Sequence, residues 1–394
     1  MKLKFVHAIT DEKFIESARL SFEMAALTDN KYIVVSDNKH VSFKYLNKIK
    51  EEILVLNPSE FKKALLGEGF CDVLVLHNLY SVPLEIISDI PKRIKVVWFA
   101  WGFDIYSNPF PGYPLLNIGE RYMPQTKELL DANILFGKKV KDRLRVFASY
   151  FIPKYSKKCF ENAINRIDFF SGVYELEYDM MKQQVPFFRA KKIVYNYSYM
   201  EERINCDYKI NDGNDIMIGN CASPFCNHLD LLHLVKERLD KSINKVICPL
   251  SYGVKGYYTE TVVCQGKKLF GDRFVPLTDF LPIDEYFSIV NQCAGMVLGL
   301  FQQSAVGNVT SGLSAGLNVY VPIESMNYKY FSKLGTSIKS IENDLCPSSF
   351  NGRTTYDDVM RDRKIIFETF HSKEKCMNNI HSMVEIINKT IKKC

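Results

Sequence analysis

The stretch Ile216–Leu232 reads IMIGNCASPFCNHLDLL, and the fold can be read outward from it. An apolar run ends at Gly219-Asn220, a loop of small residues follows, and the helical spacing of apolar residues begins near Asn227-His228. Strand, short loop and helix in that order make one βα unit of an open parallel sheet. In such sheets ligands bind beyond the carboxyl ends of the strands, and a helix N-terminus offers unpaired N–H groups to an anion. Ser223 and Asn227 can cap the helix or donate to a phosphate or a sugar. Taken alone, the segment could equally be an ordinary βα turn.

The pattern repeats on both sides. Downstream, Lys245–Pro249 runs into Leu250-Ser251-Tyr252-Gly253, and Met296–Leu300 runs into Phe301-Gln302-Gln303-Ser304-Ala305-Val306-Gly307-Asn308. Asn318–Pro322 leads to Glu324, and helical segments over about 227–239, 257–270 and 283–293 separate these runs. Upstream, Leu3–His7, Tyr32–Ser36, Glu52–Leu56, Asp72–His77 and Lys95–Trp101 are apolar runs of strand length divided by helix-length gaps. Continuous apolar strands of this kind belong to parallel sheets covered on both faces. Residues 198–214 are polar and rich in Asn and Asp, the composition of a linker. The expected organisation is α/β: a Rossmann-like domain over 1–197, a linker over 198–214, a second Rossmann-like domain over 215–353 facing the first across a cleft, and a helical tail over 354–394.

Composition narrows the class. A chain of 394 residues is too long for one ordinary core and suits two domains. With 47% hydrophobic and 24% charged residues, the chain reads as soluble and globular. The longest apolar runs, Val96–Trp101 and Ala294–Phe301, fall well short of the roughly 18 residues a membrane span needs. The opening MKLKFVHAITDEKF has acidic residues where a signal peptide would be apolar, so a cytoplasmic location is expected. Eleven cysteines, odd in number and without a CxxC pair, read as reduced thiols, several of them (Cys248, Cys293) inside apolar runs. The net charge of +6 comes with no nucleic-acid-binding module, so no nucleic-acid partner is expected. Residues 138–158 concentrate eight Lys/Arg against one Asp, interleaved with Phe147, Tyr150, Phe151 and Tyr155. That combination suits peripheral contact with an anionic inner-leaflet membrane.

Candidate chemistry falls at the strand ends. In the second half, Gly219, Asn220, Ser223, Asn227, Tyr252, Gln303, Gly307 and Asn308 are placed to hold an anionic ligand. Glu324 can accept hydrogen bonds from a pair of ribose hydroxyls. In the first half, His7 and His77 end two strands, and Asp104 follows Gly102 just past a third. A carboxylate so placed can orient or deprotonate a hydroxyl. No D-x-D with acidic neighbours is present, so no metal is expected.

Trp98-x-x-Trp101-Gly102-x-Asp104-x-Tyr106 resembles the W-x-x-W-G-x-D-x-Y motif of the TDP-N-acetylfucosamine:lipid II N-acetylfucosaminyltransferases, glycosyltransferase family 56. Gly219-Asn220-x-Ala222-Ser223 with Asn227-His228-x-Asp230, Pro249-Leu250-Ser251-Tyr252-Gly253, Leu281-Pro282-Ile283-Asp284-Glu285-Tyr286 and Gln303-x-Ala305-Val306-Gly307-Asn308 are similar to further segments of that family, in the same order. The resemblance implies a GT-B fold and transfer of N-acetylfucosamine from a dTDP-linked donor to a lipid-linked saccharide acceptor. It places the nucleotide-sugar donor in the C-terminal domain. If the reaction inverts configuration, Asp104 is the leading candidate for general base by its placement. Two positions depart from it. Cys221 stands where the family has Ser, and neutral Gln302 stands where the family has an Arg. Either Lys255 or Arg273 then supplies the missing charge, or the donor differs from the family's.

Overall fold

The computed structural model describes residues 2–12, 14–106, 115–136, 156–195, 197, 213–253, 256–352 and 354–392. Outside them lie residues 138–155 of the basic aromatic stretch, residues 198–212 of the expected linker, and Lys255. The chain forms two compact units: Met1–Asn117 with Ala148–Glu201 and Thr369–Cys394, and Ile118–Phe147 with Glu202–Glu368.

The first unit is built on seven strands: β1 (Leu3–Ala8), β2 (Thr28–Val35), β3 (Ile53–Leu56), β4 (Val73–Leu76), β5 (Lys95–Phe99), β6 (Phe169–Ser171) and β7 (Lys191–Lys192). All neighbours pair in parallel, in the order β3-β2-β1-β4-β5-β6-β7. Every residue of β4 and β5 is buried, as expected of strands covered on both faces. Phe5, Val73, Val75, Val97 and Phe99 pack one face against Ala18 and Phe22 of the helix Ile15–Ala25. The same core takes Cys376, Ile380, Met383 and Ile387 of the C-terminal helix Lys373–Ile391.

The second unit holds six strands: β8 (Asp215–Ile218), β9 (Val246–Pro249), β10 (Phe274–Leu277), β11 (Cys293–Val297), β12 (Asn318–Val321) and β13 (Lys339–Ser340). They pair in parallel in the order β10-β9-β8-β11-β12-β13. Ile216, Ile218, Val246, Cys248 and Val297 pack against Leu231, Leu232 and Val235 of the helix His228–Leu239.

Three boundaries differ from the sequence reading. The helix Pro124–Phe136, expected in the first domain, is part of the second unit, where it packs on His228–Leu239. The expected tail divides: Tyr356–Ile366 packs on Val306–Ser314 in the second unit, and Lys373–Ile391 packs on Ile15–Ala25 in the first. Strand β11 begins at Cys293 rather than Met296, because the preceding helix stops at Val290 and Cys293 and Gly295 already pair with β8.

Candidate functional site

Each sheet reverses its strand order once, between β1 and β4 in the first unit and between β8 and β11 in the second. Such a switch point opens a crevice at the strand carboxyl ends, because the connections on either side leave in opposite directions. In the second unit the loop after β8 holds Gly219 and Asn220, and the loop after β11 holds Gln302 and Gln303.

Gly219 has φ +71°, and a β-carbon there would run into Nε2 of His228. His228 Nδ1 lies 2.9 Å from the Tyr258 hydroxyl, and that hydroxyl lies 3.2 Å from the Ser223 carbonyl. With the single hydroxyl proton donated to the carbonyl, Nδ1 is the protonated nitrogen and Nε2 carries a lone pair. The other tautomer would bury an unpaired N–H, which is the rarer situation. Burial holds the His228 pKa down at about 3, so the ring is neutral.

Asn220 Nδ2 donates to the Tyr252 hydroxyl at 3.3 Å, and its Oδ1 accepts from the Cys226 thiol at 3.3 Å. The Ala222 N–H donates to the Tyr252 carbonyl at 2.8 Å. Ala222 and Gly253 form a parallel bridge that leaves no room for a β-carbon on Gly253. The loops after β8 and β9 are thereby joined. Asn308 ties in the loop after β11, donating from Nδ2 to the Tyr286 hydroxyl at 2.5 Å while that hydroxyl lies 3.5 Å from Met217 Sδ. Gly307 is exposed, with open space where a β-carbon would stand.

Asn227 has a different role from the one expected. It is fully buried in the left-handed region, and its Nδ2 donates to the carbonyls of Gly299 (2.6 Å), Arg121 (3.1 Å) and Phe225 (3.2 Å). Its Oδ1 accepts from the Met123 N–H at 2.8 Å. Three residues on, Asp230 accepts from the N–H groups of Gln125 and Thr126 and from the Thr126 hydroxyl. The two side chains latch residues 121–126 onto the site, and neither Asn227 nor Ser223 caps a helix with its side chain.

The latched segment places Arg121 at the site, a residue the sequence reading passed over. Its Nη1 donates to Gln302 Oε1 at 3.3 Å, and its guanidinium lies over the Phe225 ring, on which Tyr122 also stacks. Gln302 and Gln303 are buried, and Gln303 Oε1 has no hydrogen-bond partner. Arg273, one of the two expected sources of charge, lies elsewhere. It pairs with Asp240 and donates to the carbonyls of Asp240 and Ile243, next to the start of β9. Glu324 is exposed and ion-paired to Lys329 at 2.8 Å, one strand beyond the switch.

In the first unit the β1/β4 switch holds His7 and His77, with His7 Nδ1 3.0 Å from His77 Nε2. His7 Nε2 lies 3.3 Å from Asn30 Oδ1, and Asn30 Nδ2 donates to Glu23, which fixes the amide with its oxygen toward the ring. His7 therefore carries its proton on Nε2 and accepts from His77 Nε2–H. His77 Nδ1 is left as a buried lone pair without a partner. Burial lowers both pKa values, that of His7 to about 4. Asp104 is 1% exposed, and its oxygens accept from the N–H groups of Leu79 (2.9 Å) and Trp101 (2.7 Å) and from the Trp98 indole (2.8 Å). Burial pushes its pKa up to about 7 against the pull of those donors. The carboxylate expected to meet a hydroxyl instead joins the loops after β4 and β5.

Among the described residues no group of three or more His, Cys, Asp or Glu is arranged to hold a metal ion, and no helix is long and apolar enough to cross a membrane.

Comparison with known proteins bears on this architecture. Three solved structures superpose over essentially the whole chain. The Anabaena protein Alr3699/HepE in complex with UDP matches at TM-score 0.60 and 10% identity, covering 100% of both chains. An alpha-glucosyltransferase in complex with UDP matches at 0.54 and 11%, covering 98% of this chain and 100% of the other. AviGT4, a glycosyltransferase involved in avilamycin A biosynthesis, matches at 0.52 and 7%, covering 100% and 99%. No curated protein matches by sequence. The chain is a glycosyltransferase with the GT-B fold. More particularly, residues 163–330 match the family model described as 4-alpha-L-fucosyltransferase glycosyl transferase group 56.

Proposed function

We propose that the protein transfers a 6-deoxy amino sugar of the N-acetylfucosamine type from a dTDP-linked donor to a polyprenyl-diphosphate-linked saccharide. The observation that carries this reading is the convergence of the loops after β8, β9 and β11 at the switch point of the second sheet, inside the region matched by the fucosyltransferase family model. Gly219, Asn220, Tyr252, Gln303, Gly307 and Asn308 line the donor site in this reading, and Asn227 holds its frame. Protein groups rather than a metal hold the diphosphate, so chelation with EDTA leaves the rate unchanged. The basic aromatic stretch 138–158 keeps the enzyme at an anionic membrane surface, where a lipid-linked acceptor resides.

The test is a panel of sugar nucleotides followed by thermal stabilisation and by transfer to a lipid-linked disaccharide. A binding donor at about 100 times its Kd adds roughly 2.7 kcal/mol. Stabilisation and turnover with a dTDP-linked 6-deoxy amino sugar, ahead of UDP- and GDP-linked sugars, supports the reading. Preference for a UDP-sugar, in keeping with the UDP bound to HepE and to the alpha-glucosyltransferase, would replace the donor while keeping the site.

A further inference from the structure

We infer that Arg121 is the diphosphate-binding cation of the donor site. This rests on the reading that the second unit holds a nucleotide sugar. The loops after β8, β9 and β11, over 219–227, 250–256 and 298–308, contain no arginine and a single lysine, Lys255, which lies outside the described residues. A nucleotide diphosphate carries charge that backbone N–H groups alone meet only in part, and guanidinium is the side chain suited to bind it bidentately. Among the described lysines and arginines, Arg121 is the one whose side chain donates to any of these loops, through Gln302.

Its position is built, not incidental. A single amide, that of Asn227, binds the Arg121 carbonyl, the Met123 N–H and the Gly299 carbonyl. The segment bearing the cation and the loop after β11 are therefore held by the same side chain, itself fully buried. Asp230 fixes the next two residues from the same helix. The guanidinium lies over the Phe225 ring, and its contact with the loop after β11 is to Gln302, a neutral acceptor. The departure noted at position 302, neutral where the resembling family has Arg, is answered from residue 121, a distant part of the chain that folds back to the same place.

Isothermal titration with dTDP and dTMP tests this on four proteins: the wild type, Arg121→Gln, Gln302→Glu, and the double variant Arg121→Gln/Gln302→Arg. The wild type is expected to prefer the diphosphate. Arg121→Gln should weaken dTDP binding roughly 10- to 100-fold, the range of a charge-assisted hydrogen bond, and change dTMP binding by less than about threefold. Moving the guanidinium to position 302 in the double variant should restore most of the loss, which a merely structural role for Arg121 would not allow. Gln302→Glu leaves Arg121 in place but sets a carboxylate on its guanidinium, and should reproduce the selective loss. It decides the matter if Arg121→Gln does not fold. Unchanged preference for dTDP in either single variant overturns the inference. Failure of the wild type to bind any of dTDP, UDP and GDP overturns the underlying donor-site reading instead.

Discussion

Both carboxylate oxygens of Asp230 face the start of the helix Pro124–Phe136, and Thr126 meets one of them twice, through its N–H at 3.0 Å and its hydroxyl at 2.7 Å. Residues about one hundred positions apart are joined in this way. Asp230→Ala leaves the Gln125 and Thr126 donors unpaired and removes a cap with a full negative charge. A cost of about 2–4 kcal/mol is expected from a buried, charged acceptor serving several donors. Urea titration measures it. Because the same segment carries Arg121, donor affinity should fall as well, and Asp230→Asn should fall between the two. A stability change below about 0.5 kcal/mol would show that the latch is redundant.

Gly219→Ala meets two separate obstacles. The left-handed φ disfavours any β-carbon, and the imidazole of His228 occupies its place. Together they should destabilise the second unit by about 2–4 kcal/mol, of which the backbone part is roughly 1 kcal/mol. The double variant Gly219→Ala/His228→Ser removes the steric part and keeps the backbone part. A double-mutant cycle should therefore show a coupling energy of at least about 1 kcal/mol. Additive effects would mean that the ring moves aside freely.

The second sheet was largely legible in the sequence because its strands are short apolar runs ended by small polar loops, as at Ile216–Asn220 and Asn318–Glu324. β6, β7 and β13 were not, for a run of two or three residues has no period, and Lys191-Lys192 has no apolar signal at all. Within the site, position was legible but role was not. Asn220 and Asn227 are both polar residues in one loop. Only the fold shows that Asn227 turns inward to four backbone groups, while Asn220 binds its neighbour Tyr252 in the next loop. Arg121 escaped for a related reason. The hydrogen bonds that bring it to Gln302 run from side chains to backbone across the sequence, and periodicity does not record such contacts.

His228 makes stability depend on pH in a definite direction. Its folded pKa of about 3 lies below the ordinary value of 6.5, because burial penalises the charged ring. Between those values the unfolded chain binds the proton and the folded chain does not, so stability falls as pH drops from about 6.5 toward 3. The slope is up to about 1.4 kcal/mol per pH unit. His228→Gln lacks this term. The variant should be less stable than the wild type at pH 7.5, and the gap should shrink steadily in denaturant titrations at pH 6.5, 5.5 and 4.5. A gap independent of pH would show that the ring titrates normally in the folded protein.

Asp104→Asn separates an anchor from a base. In the anchoring geometry the new amide must present an NH₂ group to at least one of the Leu79, Trp98 and Trp101 donors. A loss of about 1–3 kcal/mol in stability is expected, with kcat per folded molecule changed less than about tenfold. A natively stable Asp104→Asn protein with kcat reduced by about 10²-fold or more would return the residue to the role of general base.

His77, in the first unit, has unused acceptor capacity. Its Nε2–H is committed to His7, and its Nδ1 lone pair is buried without a donor. An unsatisfied buried acceptor costs about 1–3 kcal/mol, which a hydroxyl from a bound ligand would relieve. Burial and the neighbouring His7 keep the ring unprotonated well below neutrality, so the lone pair is available throughout the physiological range. His77→Gln places an amide N–H close to the Nε2 position, preserving the bond to His7 while deleting the lone pair at Nδ1. His77→Asn does the reverse, and the pair of variants isolates the two nitrogens. If Nδ1 accepts the proton of the acceptor hydroxyl, His77→Gln should lower kcat by about 10²–10⁴-fold, with the KM for the donor unchanged. His77→Asn should lose stability through the broken His7 contact and retain more activity per folded molecule. Equal activity of His77→Gln and the wild type would make the histidine pair a structural link between β1 and β4.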